Sequence, residues 1–260
     1  MSKPLVAANC CVTVVESSGY VPKGRFEDHA ELGYKIYRTG EESGKVVLID
    51  IYDIWGYSKS NNNYAQVADT IATATGFPVI IPDVFHGAVF TREIFASGKI
   101  GEWVAANGSW DRVKVDLEKL IDWSKANLGA EKFGIFGFCY GGKIVVKSLA
   151  ELLPPILAGA TFHPSFLQIE DAEPIKGPLC LLPSKDEAEI ISTDFLATLK
   201  AKSFGDRVVH RRFSDMHHGW NGTGGDFTNP LNKQRAEEAM TLVVDFFSKE
   251  FAQGSAPAVL

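Results

Sequence analysis

Hydrophobic positions along this chain switch between two spacings. Short apolar runs lie at residues 45–50 (KVVLID), 77–81 (FPVII), 132–137 (KFGIFG), 157–162 and 178–182. Continuous, β-branched runs of that length read as strands buried on both faces. Between them the apolar residues recur at helical spacing. Over 62–75, Tyr64, Val67, Ala68 and Ile71 share one face, and Gly76 stops the helix. Over 110–127, Val113, Leu117, Leu120, Ile121 and Ser124 do the same, with Gly129 just past the end. Further helices are predicted at about 140–152, 193–202 and 231–251, and a strand at 207–213. This strand–helix alternation predicts an α/β fold with a mostly parallel central sheet and helices on both faces. It runs unbroken from 45 to 251, so residues 1–260 are read as one domain, with 252–260 a frayed tail. Residues 11–15 and 34–37 are candidate short strands. The connection from 84 to 109 holds four glycines and mixed aromatics. Loops of that length are usually functional or carry short helices.

Composition narrows the class without changing the fold. No apolar run approaches the ~20 residues of a membrane span, and no secretory leader or lipidation motif is visible. A cytoplasmic protein is expected. The net charge is −6, and no basic run extends beyond Arg211-Arg212, so no nucleic-acid partner is expected. The four cysteines are Cys10, Cys11, Cys139 and Cys180. None forms a Cys-x-x-Cys pair. A bridge between the neighbours Cys10 and Cys11 is strained, so both read as reduced. Cys180 sits in an apolar run and reads as a core thiol. No metal-ligand spacing occurs, and neither metal nor cofactor is expected.

The segment Gly137-Phe138-Cys139-Tyr140-Gly141-Gly142 carries the chemistry. It follows a predicted strand and opens a predicted helix. Gly-x-nucleophile-x-Gly in that context is a nucleophile elbow. Glycines flank the nucleophile because side chains there would strike the neighbouring strand and helix. The helix N-terminus stabilises a thiolate, and a thiol of pKa ~8.5 is already partly ionised at neutral pH. Gly137 to Lys143 also nearly matches a phosphate-binding frame, but Ile144 stands where a magnesium-binding Ser or Thr is needed.

A cysteine hydrolase needs an imidazole base oriented by a carboxylate, in the order nucleophile, acid, histidine. The turn after strand 178–182, Pro183-Ser184-Lys185-Asp186-Glu187, supplies the acid. Asp186 is the assignment and Glu187 its nearest competitor. Met216-His217-His218-Gly219-Trp220 follows the last strand, and His218 is assigned as the base. His163, at the end of a strand, is a candidate pocket residue. The oxyanion hole needs two backbone N–H donors. Tyr140 supplies one, and Asp53 or Ile54, after strand 45–50, the other. A carboxylate at Asp53 would disfavour a free thiolate at Cys139.

Taken together, Tyr52-Asp53-Ile54-Trp55-Gly56, Pro82-Asp83-Val84-Phe85, the elbow, Lys185-Asp186 and His218-Gly219-Trp220 resemble the dienelactone hydrolase family of α/β-hydrolases, which includes the carboxymethylenebutenolidases. The resemblance covers about residues 30 to 251. It implies the α/β-hydrolase fold and places the family's triad on Cys139, Asp186 and His218. It puts the second oxyanion donor on Ile54 and the family's thiol-tuning acid on Asp53. Bacterial members carry two arginines that hold a substrate carboxylate where this chain has Gly87 and Gly222. Arg92 and Arg112 are the available substitutes.

The expected function is hydrolysis of a small ester or lactone through an acyl-cysteine, by a monomer or homodimer. Trp55, Phe85, His163 and Trp220 are the expected pocket residues. The rivals are a relative acting on polysaccharide or xenobiotic substrates, and a non-enzymatic binding or redox-sensing protein on the same fold.

Overall fold

The computed structural model describes residues 19–57 and 62–252. The candidate strand at 11–15, the pair Cys10-Cys11 and the tail beyond 252 lie outside the described residues. Along the chain come β1 (Arg25–His29), β2 (Tyr34–Thr39), β3 (Val46–Ile51), α1 (Asn63–Thr75), β4 (Val79–Pro82), α2 (Arg92–Ala96), α3 (Ile100–Asn107), α4 (Trp110–Leu128) and β5 (Lys132–Phe138). Then follow α5 (Tyr140–Glu151), β6 (Ile156–Phe162), β7 (Leu179–Leu182), α6 (Leu196–Lys200), β8 (Val209–His210) and α7 (Pro230–Ala252).

The strands form one sheet in the order β1-β2-β4-β3-β5-β6-β7-β8. From β4 to β8 every pairing is parallel, and β1 and β2 pair antiparallel at one edge. β3, β5 and β6 are buried almost throughout, as strands covered on both faces must be. Phe136 of β5 meets Phe247 of α7, and Phe138 meets Tyr64 of α1, so α1 and α7 share one face. α5 packs on the other face with α4 beside it. This is the mixed α/β architecture that the alternating periods predict.

The departures from prediction have local causes. β1 reads Arg-Phe-Glu-Asp-His, a mostly exposed edge strand whose polar sequence hides it from an apolar-run criterion. The predicted strand 207–213 shortens to Val209–His210 plus a single bridge between Ser184 and Phe213. Pro183 lacks the N–H that would continue the β7–β8 ladder. The 84–109 connection contains α2 and α3. The predicted helix 193–202 begins as a π-helical turn, Ile191–Phe195, before α6.

One buried group stands against the sheet's apolar character. Asp50 of β3 is fully buried, and among the described residues neither carboxylate oxygen has a hydrogen-bond partner. Burial pushes its pKa well above the usual carboxylate range. The folded state therefore holds a proton that the unfolded chain releases. Its stabilising contribution is full below the ordinary carboxylate pKa and is lost as pH rises toward the folded value. Asp50→Asn removes that dependence, so wild type should lose about 1.4 kcal/mol per pH unit relative to the variant over this window. Urea unfolding of both proteins at mildly acidic and neutral pH checks this: parallel pH profiles would refute it.

Candidate active site

Site residues gather at the carboxyl ends of β3, β5, β6 and β7, where the chain leaves the sheet. β5 lies between β3 and β6, with Gly137 opposite Ile51 on one side and Thr161 on the other. Two residues later, Cys139 adopts φ 50° and ψ −109°. A non-glycine residue there costs roughly 1–3 kcal/mol and persists only when its surroundings enforce it. They do so through its own peptide groups. Its N–H donates to the Phe162 carbonyl at 3.1 Å, and its carbonyl accepts from Gly142 at 3.0 Å and Ser165 at 2.8 Å.

The glycines of the elbow allow the close approach that this turn needs. A Cβ on Gly141 would lie 2.1 Å from the Ile51 carbonyl oxygen. The first turn of α5 thus rests directly on the backbone that leads into the Tyr52–Gly56 loop. The same Cβ would lie 3.0 Å from the Tyr52 carbonyl oxygen. Of the two candidates for the second donor, Asp53 uses its N–H on the Tyr64 hydroxyl at 3.2 Å, which favours Ile54.

Asp53 is buried below Trp55, whose N–H its Oδ1 accepts at 2.8 Å. Burial pushes its pKa up, while hydrogen bonds from Tyr64, Trp55 and Thr223 hold it down in part. Tyr64 and Thr223 join hydroxyl to hydroxyl at 2.7 Å. Asn63 donates to the carbonyls of Gly222 at 2.9 Å and Gly225 at 2.8 Å. The start of α1 therefore fixes both the Asp53 loop and the 219–225 loop. Gly222 sits against this cluster: a Cβ there would be 3.3 Å from the Tyr64 hydroxyl and 3.5 Å from Asp53 Oδ2.

His218 is buried, and its ring is held on several sides. Nδ1 lies 2.6 Å from Glu187 Oε1. Nε2 faces Ser165 Oγ at 3.5 Å. The His163 ring meets it edge-on, with centroids 4.8 Å apart. Ser165 also donates to the Cys139 carbonyl, so base and elbow share one loop as a wall. The sequence predicts Asp186 as the partner of the ring. Here Asp186 Oδ2 instead accepts the main-chain N–H of His218 at 2.8 Å, and the ring goes to Glu187. The chain bends through 185–187, and the two neighbouring carboxylates reach different parts of His218, one the main chain and one the ring.

The other expected pocket residues divide by depth. Phe85 packs against Tyr140, Tyr52 and Trp103. Its loop is tied to the first by the Tyr52 hydroxyl, which donates to Asp83 at 2.7 Å and accepts the Phe85 N–H at 3.0 Å. Trp55 is partly exposed and meets Phe90. Trp220 is fully buried against Phe213. A cleft of ≈ 270 Å³ flanks Tyr140, lined by Val104, Trp110, Ile144 and Phe166, with Lys143 and Lys147 among its polar residues. Cys180 is buried in β7, where desolvation pushes its thiol pKa up. Among the described residues, no cluster of His, Cys, Asp and Glu has a metal-binding arrangement, and no helix is long and apolar enough to cross a membrane.

A mostly parallel sheet with a strained nucleophile elbow and a late, carboxylate-paired histidine defines an α/β-hydrolase. The dienelactone hydrolase family model matches residues 33–251, and the chain belongs to that family. Membership makes it a hydrolase. An AIM2 family protein of Schizosaccharomyces pombe, itself described as uncharacterised, is 28% identical over 255 residues, covering 92% of this chain and 98% of that one. A carboxymethylenebutenolidase homologue of Rattus norvegicus is 26% identical over 217 residues, covering 82% and 86%. Among solved structures, a candidate dienelactone hydrolase of Klebsiella pneumoniae superposes with a TM-score of 0.67 at 14% identity, covering 86% and 98%. That likeness is one of fold.

The elbow predicts a sharp contrast between two glycines. Gly141→Ala forces a side chain onto the Ile51 carbonyl and should destabilise by about 1–3 kcal/mol. Gly101→Ala, in α3 with nothing within 4 Å of the new Cβ, should be neutral or stabilise by up to ~1 kcal/mol. Thermal unfolding of the two variants measures the difference, and equal midpoints would refute the close-approach argument.

Proposed function

We propose that this protein hydrolyses small carboxylic esters or lactones through an acyl-cysteine intermediate. Cys139 is the nucleophile, His218 the base, and a carboxylate of the 184–187 turn orients the imidazole. The observation that carries the reading is the pairing of two features. Cys139 is held in a left-handed conformation at the amino end of α5, and the loop bonded to its carbonyl also faces the His218 ring.

In this mechanism the Cys139 thiol proton passes to His218 Nε2 as Sγ bonds to the substrate carbonyl carbon. Negative charge develops on the carbonyl oxygen, where the N–H groups of Tyr140 and Ile54 stabilise it. The carbonyl re-forms, the C–O bond to the leaving group breaks, and His218 returns the proton to the departing oxygen. Water then gives a proton to His218 and attacks the thioester carbon. The C–S bond then breaks, His218 returns that proton to Sγ, and the acid leaves with the thiol restored. A lactone follows the same path, with leaving group and acid on one product molecule. The names of the carboxymethylenebutenolidase homologues point to the same bond type. Gly87 and Gly222 bring no cation to the positions of the bacterial arginines, so a substrate carboxylate is not required. A cytoplasmic location and a monomeric or dimeric state complete the reading.

Hydrolysis of an activated aryl ester and of a small unsaturated lactone, by wild type and Cys139→Ala, tests this directly. Wild type should turn over at least one of them, and the variant should lose that activity by about 10³-fold or more. Equal rates would remove Cys139 from the reaction.

Asp53 is proposed to tune the thiol. Its raised pKa keeps it neutral at lower pH, and once ionised it opposes a second negative charge nearby. Asp53→Asn should move iodoacetamide labelling of Cys139, read on the Cys139 peptide by mass spectrometry, to lower pH. Coincident labelling profiles would exclude the coupling.

A further inference from the structure

We infer that Glu187 is the carboxylate that positions the His218 imidazole and balances its charge, while the neighbouring Asp186 is a strut for the His218 main chain. The inference rests on the reading of His218 as the base. It departs from the Asp186 assignment that the family resemblance implies.

Three observations support the division of labour. The first is the ring contact: Glu187 Oε1 lies 2.6 Å from His218 Nδ1, and both side chains are almost wholly buried, at 2% and 1% exposure. Charge–charge attraction is strongest in such a dry setting. The second is the anchoring of Glu187. Its Oε2 accepts the Ser184 N–H, so both carboxylate oxygens have defined partners. Its own carbonyl accepts from Arg212 at 2.7 Å, and the same guanidinium reaches the Lys185 carbonyl at 3.1 Å. The third is the prior commitment of Asp186. Its Oδ2 holds the His218 N–H at 2.8 Å, and its own N–H donates to Ser184 Oγ at 3.2 Å. Asp186 is only half-buried.

The two contacts do different physical work. A carboxylate on Nδ1–H selects the tautomer in which Nε2 is unprotonated and able to accept a proton. When Nε2 takes the Cys139 proton, the new imidazolium has its counter-charge at Nδ1. A carboxylate on the main-chain N–H does neither. It fixes where the ring begins, and so acts on distance rather than on protonation. Lys185 N–H to the Met216 carbonyl, at 3.1 Å, adds a further tie between the two loops. Together these bonds clamp the acid turn to the histidine loop at main-chain and side-chain level at once.

The test compares Glu187→Gln, Glu187→Asp, Asp186→Asn and Cys139→Ala with wild type. Two readouts are used: kcat/KM against pH on an ester that wild type turns over, and the far-downfield proton NMR signal of a carboxylate-bound His218 Nδ1–H. Glu187→Gln should lose the signal and about 10²–10⁴-fold in kcat/KM. The acid limb of its residual pH profile should move to lower pH, because the imidazolium has lost its partner. Glu187→Asp should recover part of the rate and the signal. Asp186→Asn should keep the signal and the position of the acid limb, with a smaller loss of rate. Loss of the signal in Asp186→Asn with retention in Glu187→Gln would reverse the assignment and overturn the proposal. If Glu187→Gln fails to fold, Asp186→Asn decides alone: retention of the signal supports the proposal and its loss overturns it. Cys139→Ala separates the two readings. If that variant keeps turnover, the cysteine mechanism fails, while the NMR signal still reports which carboxylate holds His218.

Discussion

The left-handed backbone at Cys139 is the constraint from which the rest of the site follows. A side chain at positive φ between a strand and a helix is expensive, and the fold meets that cost with main-chain hydrogen bonds from β6 and its following loop. Those bonds require β6 to run beside β5 and to end at the same height. They require glycine at 141, because the helix must begin in contact with the Ile51 carbonyl. They also place the 163–166 loop over the elbow, where Ser165 and His163 reach the His218 ring. Strain at one residue is thus enforced by the strands around it, and the loop that enforces it also faces His218.

A second layer of organisation lies around this centre. The loops after β3, β4 and β8 hold their own turns with main-chain hydrogen bonds, and buried side chains tie one loop to the next. Tyr52 joins the first loop to the Pro82–Gly87 turn. Tyr64 and Asn63, on the first turn of α1, join it to the 219–225 loop. Each bond is worth only ~1 kcal/mol net, but leaving any of these buried groups unpaired costs more. The network therefore specifies one arrangement of the loops more than it adds stability.

Most of the fold is legible in the sequence because the parallel strands are buried on both faces and the long helices on one. KVVLID, KFGIFG and the spacing of Val113, Leu117 and Leu120 carry their structure in the period of their apolar residues. β1 is not legible, since Arg-Phe-Glu-Asp-His owes its strand to pairing with β2 rather than to burial. β8 is overestimated because an apolar pattern cannot register the missing N–H of Pro183. In the site, the strand–turn–helix around Cys139 follows from local sequence alone. The partner of the His218 ring does not. Asp186 and Glu187 are chemically alike and adjacent, and only the path of the histidine loop decides which of them meets the ring. Trp220 shows the same limit, for proximity to His218 in sequence gives no information on depth.

The antiparallel pair at one edge of the sheet also bears on how copies of this chain meet. β1 presents Arg25, Glu27 and Asp28 along its length, and Arg25 and Arg38 are engaged with Glu27 and Glu42. At the far edge β8 offers only two residues of ladder. An incoming strand would have to displace ion pairs at one side and would find almost no unpaired backbone at the other. Among the described residues, the sheet's two edges are guarded by charge on one side and by shortness on the other rather than by closure, and both deter the addition of a further strand.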